Sequence, residues 1–207
     1  MKNNFFIAIE GTDGSGKSTQ AKLLAEKLSL GGHKVHLTFE PTKGHVGKLL
    51  RSILTGQVKA DQTVIAGMFL ADRLDHLLNE EDGLVKKMAD GYTVITDRYY
   101  FSSYAYHGVY VNMDWVISCN KMCAQILRPD INIYVDVPPE VCIQRITAGR
   151  ENAELYETNE ILKKVRDQYH LAFNKLKEIE NIVIVDGNKA VNEVANDIWH
   201  TISNLNK

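Results

Sequence analysis

The chain has 207 residues, 44% of them hydrophobic and 24% charged, with a formal net charge of −2. That length supports one ordinary domain with a sizeable core. The near-balanced charge leaves no electrostatic footprint for DNA or RNA, and no apolar run approaches a membrane span, so neither nucleic acid nor a membrane is an expected partner.

The first apolar run, "FFIAIE" (5–10), reads as a strand and is too short for a signal peptide. "EGTDGSGKSTQ" (10–20) follows, with Gly11, Gly16, Lys17 and Ser18 matching G-x-x-x-x-G-K-[ST]. A helix is expected at 16–30. A glycine-rich turn between strand and helix lets backbone N–H groups wrap phosphate oxygens, with the helix N-terminus adding positive charge. Residues Gly11, Thr12, Asp13, Gly14, Ser15, Gly16, Lys17, Ser18 and Thr19 are therefore assigned to ATP phosphates. Lys17 would neutralise the β- and γ-phosphates, and Ser18 would ligate Mg²⁺.

Further strands are expected at 34–39, 92–97, 131–137 and 181–186, rich in Val, Ile, Tyr and Phe. Helical patterns cover roughly 45–55, 61–89, 112–127, 139–147, 157–179 and 190–204. This alternation predicts an α/β fold with a parallel sheet between helical layers, with ligands beyond the carboxyl ends of its strands. No linker or repeat divides the chain, so 1–207 reads as one domain. Cys119, Cys123 and Cys142 form no C-x-x-C and read as small buried side chains in a reducing cytoplasm.

Three stretches carry the remaining chemistry. No Asn-Lys-x-Asp follows the loop, which argues against a GTPase and for a small kinase. In "MFLADRLDHL", Phe69 and Arg73 lie four apart and share a helix face, as a ring to stack on a base and a guanidinium to address its edge would; a core aromatic beside a snorkelling arginine gives the same spacing. In "VITDRYYFSSYAYHG", Asp97 ends a strand as a magnesium-associated acid does. Arg98 follows it, either as a surface ion-pair partner or as a forked phosphate clamp.

In these stretches, together with "FEPTKGHVGKLLRSIL", "RPDINIYVDVPPEVCIQRI" and "VDGNKAVNEVANDI", the chain resembles the thymidylate kinases over nearly its whole length. The resemblance implies a three-layer nucleoside-monophosphate-kinase fold. Its five-stranded parallel sheet has order 2-3-1-4-5 and is joined by a mobile lid at about 145–157. It also implies a homodimer that transfers phosphate from ATP to dTMP in dTTP biosynthesis. Asp13 would contact the sugar 3′-hydroxyl, Phe69 would stack on thymine, Arg73 would address O4, and Ser103 would face N3. Tyr106 would crowd the 2′ position and Arg98 would bridge the two phosphates. Gly14 replaces an arginine found in one branch, which moves the catalytic arginine to the lid: Arg145 or Arg150, with Tyr156 closing over the substrate. Phe39 stands where many relatives have arginine, leaving Lys43 or Arg51 for the acceptor phosphate. His107 and Leu155 also depart from the common pattern. The rival readings are a kinase for dUMP, for a broader range of deoxynucleotides or for a nucleoside, the last with Glu40 as base. A nucleotide-binding module without catalysis is the remaining rival.

Overall fold

A computed structural model describes residues 4–149 and 155–205. Five strands, β1 (Phe6–Glu10), β2 (Val35–Phe39), β3 (Thr93–Asp97), β4 (Ile131–Asp136) and β5 (Ile182–Asp186), form one sheet in the order β2-β3-β1-β4-β5. Every pairing is parallel, with Ile7 opposite both Ile95 and Ile131. The expected fold and strand order are therefore observed. Side chains alternate across the central strands. Phe6, Ala8, Val94 and Tyr134 face one apolar layer, while Ile7, Ile9, Ile95, Ile133 and Val135 face the other. Both layers are closed to water, which is why these strands are continuously apolar in sequence.

Helices α1 (Lys17–Leu30) and α9 (Val191–Ser203) cover the Ile7 face. The opposite face is covered by α3 (Gln62–Leu78), α4 (Leu84–Ala89), α5 (Tyr100–His107), α6 (Met113–Ile126) and α8 (Asn159–Leu176). Helix α2 (His45–Leu54) packs on α3 in a smaller cluster around Leu50, Ile53 and Ile65. Helix α7 (Pro139–Gly149) follows β4. Asp61, Asn112 and Thr158 start α3, α6 and α8 by accepting N–H groups of Thr63, Trp115 and Ile161.

Two helical expectations need correction. The pattern over 61–89 is two helices, because the Asn79 side chain accepts the N–H groups of Glu81 and Asp82 and turns the chain. Helix α5, over 100–107, was not expected at all. Each of its eight residues is buried, so it shows no polar face and no amphipathic period. Of the residues expected to form a lid, 145–149 belong to α7, while Arg150 lies outside the described residues. Among the described residues no helix is long and apolar enough to cross a membrane.

Candidate active site

The loop between β1 and α1 sits at the carboxyl end of the central strand. Gly14 has φ +78° there, and a Cβ on it would meet the Cys142 carbonyl oxygen of α7 at 2.4 Å. Only glycine fits that position, for backbone and space alike. Gly16, at φ +90°, opens α1 without any side-chain cap. The first N–H groups of the helix are thereby left for an anion.

Clefts open on either side of this loop. The outer one is lined by Gly14–Gln20, Arg145, Ile146, Gly187 and Lys189. Arg145 donates there to the carbonyls of Ser15 (3.3 Å) and Gly187 (3.2 Å). The inner cavity gathers seven of the residues assigned from sequence: Asp13, Phe69, Arg73, Arg98, Ser103, Tyr106 and Tyr156. They come from five separate places in the chain. Lys17, Ser18 and Asp97 line a third recess that shares Asp13 and Arg98 with the cavity.

Asp13 lines both the inner cavity and the recess of Lys17. Its Oδ1 accepts Arg98 Nη2 at 2.5 Å and lies 3.6 Å from Lys17 Nζ, while its Oδ2 accepts the Tyr106 hydroxyl at 2.8 Å. Burial alone would raise its pKa, but Arg98 and Lys17, helped by Tyr106, hold it well below the usual carboxylate range. Asp13 is thus an anion, with lone-pair capacity left at Oδ2 for a further hydroxyl. Arg98 itself adopts φ +72°, a conformation that costs a non-glycine residue of order 1–3 kcal/mol. That turn brings the guanidinium back over the loop, where Nη1 reaches Gly11 O (3.3 Å) and Ser102 Oγ (3.1 Å).

The far end of the cavity is built on Arg73, fully enclosed on α3. Its Nε (2.9 Å) and Nη2 (2.5 Å) donate to Glu40 Oε2, and Nη1 donates to Ser103 Oγ (3.0 Å) and Asn120 Oδ1 (2.5 Å). Four of five N–H donors are thereby committed, and one on Nη2 remains. Phe69 packs against His107, with ring centroids 5.1 Å apart. Burial, and secondarily Arg73, pushes the His107 imidazole down to about 3, so it is neutral around pH 7. Tyr156 closes the wall, donating to Gln62 Oε1 (2.8 Å) and meeting the Tyr106 ring edge-on at 5.5 Å.

A phosphate loop beside a cavity with a stacking ring, a paired arginine and a buried acid is the arrangement the resemblance implies. The family model for thymidylate kinase matches residues 9–198. A protein of Methanocaldococcus jannaschii named "Probable thymidylate kinase" is 36% identical over 207 residues, covering 99% of each chain. Proteins of the same name from Methanococcus aeolicus and Pyrococcus horikoshii are 40% and 34% identical, covering 94% of this chain and 94% and 93% of theirs. The chain belongs to the thymidylate kinase family.

For a thymidylate kinase the position of Glu40 decides against the nucleoside-kinase rival. Glu40 would have to be a free base, yet Oε2 is held by Arg73 and Oε1 by His76 Nδ1 at 3.1 Å. Burial would raise its pKa, but Arg73 and His76 keep it below its ordinary value. It acts as a brace for Arg73, not as a proton acceptor.

Arg51 and Lys43 line neither the inner cavity nor the outer cleft. Arg51 donates to the carbonyls of Pro41 (2.7 Å) and Thr42, and Lys43 lies over the Phe39 ring at 5.8 Å. In this arrangement Arg51 holds the loop after β2. Asp72 holds the same loop by accepting the N–H and hydroxyl of Thr42, both at 2.7 Å.

Ser18 donates to Asp97 Oδ2, and Asp97 Oδ1 is enclosed without a hydrogen-bond partner among the described residues. A hydroxyl and a carboxylate with an unused oxygen are hard donors that suit Mg²⁺. No group of three or more His, Cys, Asp or Glu side chains could hold a metal among the described residues. The fit is therefore to a cation that keeps most of its coordination for phosphates and water.

Sequence reasoning missed Ser102, Asn120 and Glu10. Ser102 stands four residues after Arg98 on a stretch not read as helix. Asn120 and Glu10 sit inside patterns that are otherwise helix and strand.

Proposed function

We propose that the chain transfers the γ-phosphoryl group of ATP to dTMP, giving dTDP and ADP, as a cytoplasmic step toward dTTP. The observation that carries this reading is the shared cavity of Asp13, Arg98, Phe69 and Arg73, adjoining the recess of Lys17. Thymine would stack on Phe69, with its O4 toward the uncommitted N–H of Arg73 and its N3 toward Ser103. The 3′-hydroxyl would donate to Asp13. Tyr106, fixed by Asp13, would crowd a 2′-hydroxyl and disfavour ribonucleotides.

An acceptor phosphate is already anionic at neutral pH, so no general base is needed. The chain's work is positioning and charge neutralisation. Lys17 would address the β- and γ-phosphates, and Arg98, which shares Asp13 Oδ1 with Lys17, would bridge from there to the acceptor phosphate. Bound Mg²⁺ would supply neutralisation of the donor phosphates, with Ser18 and Asp97 as its protein partners. Arg145 is suited to the donor side, because its cleft holds the loop and Gly187 and excludes Phe69. Arg150 is the remaining candidate for the lid arginine, with Tyr156 covering the acceptor. Residues 145–157 would act as a lid on a single domain, and two copies would associate through apolar side chains exposed on α3 and α6, among them Val64, Leu78 and Met122.

ADP release measured with dTMP, dUMP, thymidine and no acceptor tests this reading. Fast release is expected with dTMP, with dUMP the next best acceptor. Release that is fastest with thymidine, or that is independent of any acceptor, would overturn it.

A further inference from the structure

Glu10, the last residue of β1, is fully enclosed behind Arg98 and takes no direct part in the chemistry above. Its Oε1 accepts the main-chain N–H groups of Tyr99 (2.9 Å) and Ser102 (3.3 Å). These are the N-cap and third residue of α5, and Tyr99 provides no side-chain cap of its own. A carboxylate on the neighbouring strand thus does the capping, with its charge at the positive end of the helix that carries Ser103, Tyr106 and His107. Oε2 accepts the Ser102 hydroxyl at 2.6 Å and the Tyr169 phenol at 3.0 Å. A serine hydroxyl has a single proton. Once Ser102 gives it to Glu10, its lone pairs are fixed as acceptors, and Arg98 Nη1 donates to them at 3.1 Å.

We infer that Glu10 is the positioning residue for Arg98, acting through Ser102 to hold the guanidinium between Asp13 and the acceptor phosphate. This rests on the reading of Arg98 as the phosphate-directed arginine.

The charge on Glu10 matters because each of its hydrogen-bond partners donates to it. A protonated carboxyl would instead donate to Ser102 Oγ, the Ser102 hydroxyl would turn, and Arg98 would lose one of its four anchors, the others being Asp13, Gly11 O and the Tyr106 hydroxyl at 3.2 Å. Burial pushes Glu10 up to about 7, against the pull of Ser102, Arg98, Tyr99 and Tyr169. The groups facing it are Arg98 from the β3–α5 turn, Tyr104 from α5, Tyr134 from β4 and Tyr169 from α8. Burial raises all three phenols above their ordinary value, so Glu10 alone of this set titrates near neutrality. The sign for stability is opposite to that for activity. The folded-state pKa lies above the ordinary 4.5, so the folded protein binds this proton more tightly than the unfolded chain. The stability gained from Glu10 is complete below about 4.5 and is lost as pH rises through about 7. A residue kept for stability alone would not carry that cost.

Glu10→Gln separates the two roles. The amide oxygen still accepts the Tyr99 and Ser102 N–H groups, but the amide nitrogen now donates to Ser102 Oγ and frees its proton. At pH 8 kcat is expected to fall roughly ten-fold or more, on the scale of one hydrogen bond to a charged group. The melting temperature at that pH should equal or exceed that of the unmodified protein. The acid limb of kcat near pH 7 should vanish, while ionisation of the substrate phosphate, near pH 6, persists in both proteins. Tyr169→Phe, which removes one donor to Glu10, should shift the limb to higher pH. An unchanged limb in both variants, or a Glu10→Gln protein less stable than the unmodified one at pH 8, overturns the inference. Arg98→Ala measured in parallel distinguishes the failures. Full activity there removes the reading of Arg98, whereas strong loss there with normal Glu10→Gln kinetics removes only the role of Glu10.

Discussion

Asp13 is one residue inside a phosphate loop, and its environment explains why an acid is tolerated there. Two cations and a phenol hold its carboxylate at the edge of the cavity of Phe69. Asp13→Ala should impair dTMP turnover by about 1.5–3 kcal/mol, roughly ten- to a hundred-fold. 3′-Deoxy-dTMP with unmodified protein should lose a similar factor. Mutant and analogue together should lose little more than either alone, because both remove one contact. Full additivity in kcat/KM would show that Asp13 and the 3′-hydroxyl do not meet. Arg73 allows an equally local test. Four of its N–H donors are occupied, and the fifth would face a pyrimidine O4 but would be left opposite a cytosine amino group. The unpaired donor costs about 1–3 kcal/mol, so kcat/KM for dCMP should fall roughly five- to over a hundred-fold below dTMP. Equal values would contradict the assignment.

At the level of elements, the sheet was legible because its strands are buried on both faces and bounded by Gly, Asp or Pro. The glycine-rich loop was legible because its pattern is local: the whole turn from strand to helix lies in nine adjacent residues. The inner cavity was harder, since it joins the β1–α1 loop, α3, the β3–α5 turn, α5 and the segment before α8. Spacing placed Phe69 and Arg73 on one face, but nothing in it reveals that Glu40 and Asn120 would use most of Arg73. Helix α5 was invisible for a physical reason, because total burial removes the polar face that period-finding needs. The break between α3 and α4 was missed because it hangs on one asparagine side chain and on the space at Gly83. A Cβ at Gly83 would lie 2.4 Å from the Asn79 carbonyl oxygen and 2.7 Å from its nitrogen. Gly83→Ala should therefore destabilise the protein by about 1–3 kcal/mol, as overpacking does. A urea titration reads this as a lower midpoint with an unchanged slope. An unchanged midpoint would mean that the turn is loosely packed.

Across the whole molecule, the sheet order puts the phosphate loop at the centre and lets clefts form on both sides of it. On the proposed function, donor and acceptor would be brought to one loop from opposite directions, with Asp13 and Lys17 between them. The proposed reaction is a direct transfer with no phosphorylated protein intermediate, since Asp13, the carboxylate shared by the cavity and the Lys17 recess, is already paired with Arg98, Lys17 and Tyr106. The most direct test is to incubate the protein with Mg²⁺, dTMP and ATP labelled at the γ-phosphate, then separate the products. The account predicts that the label appears as the β-phosphate of dTDP, in step with ADP and with little free phosphate. Label recovered chiefly as inorganic phosphate, or retained on the protein, would contradict it.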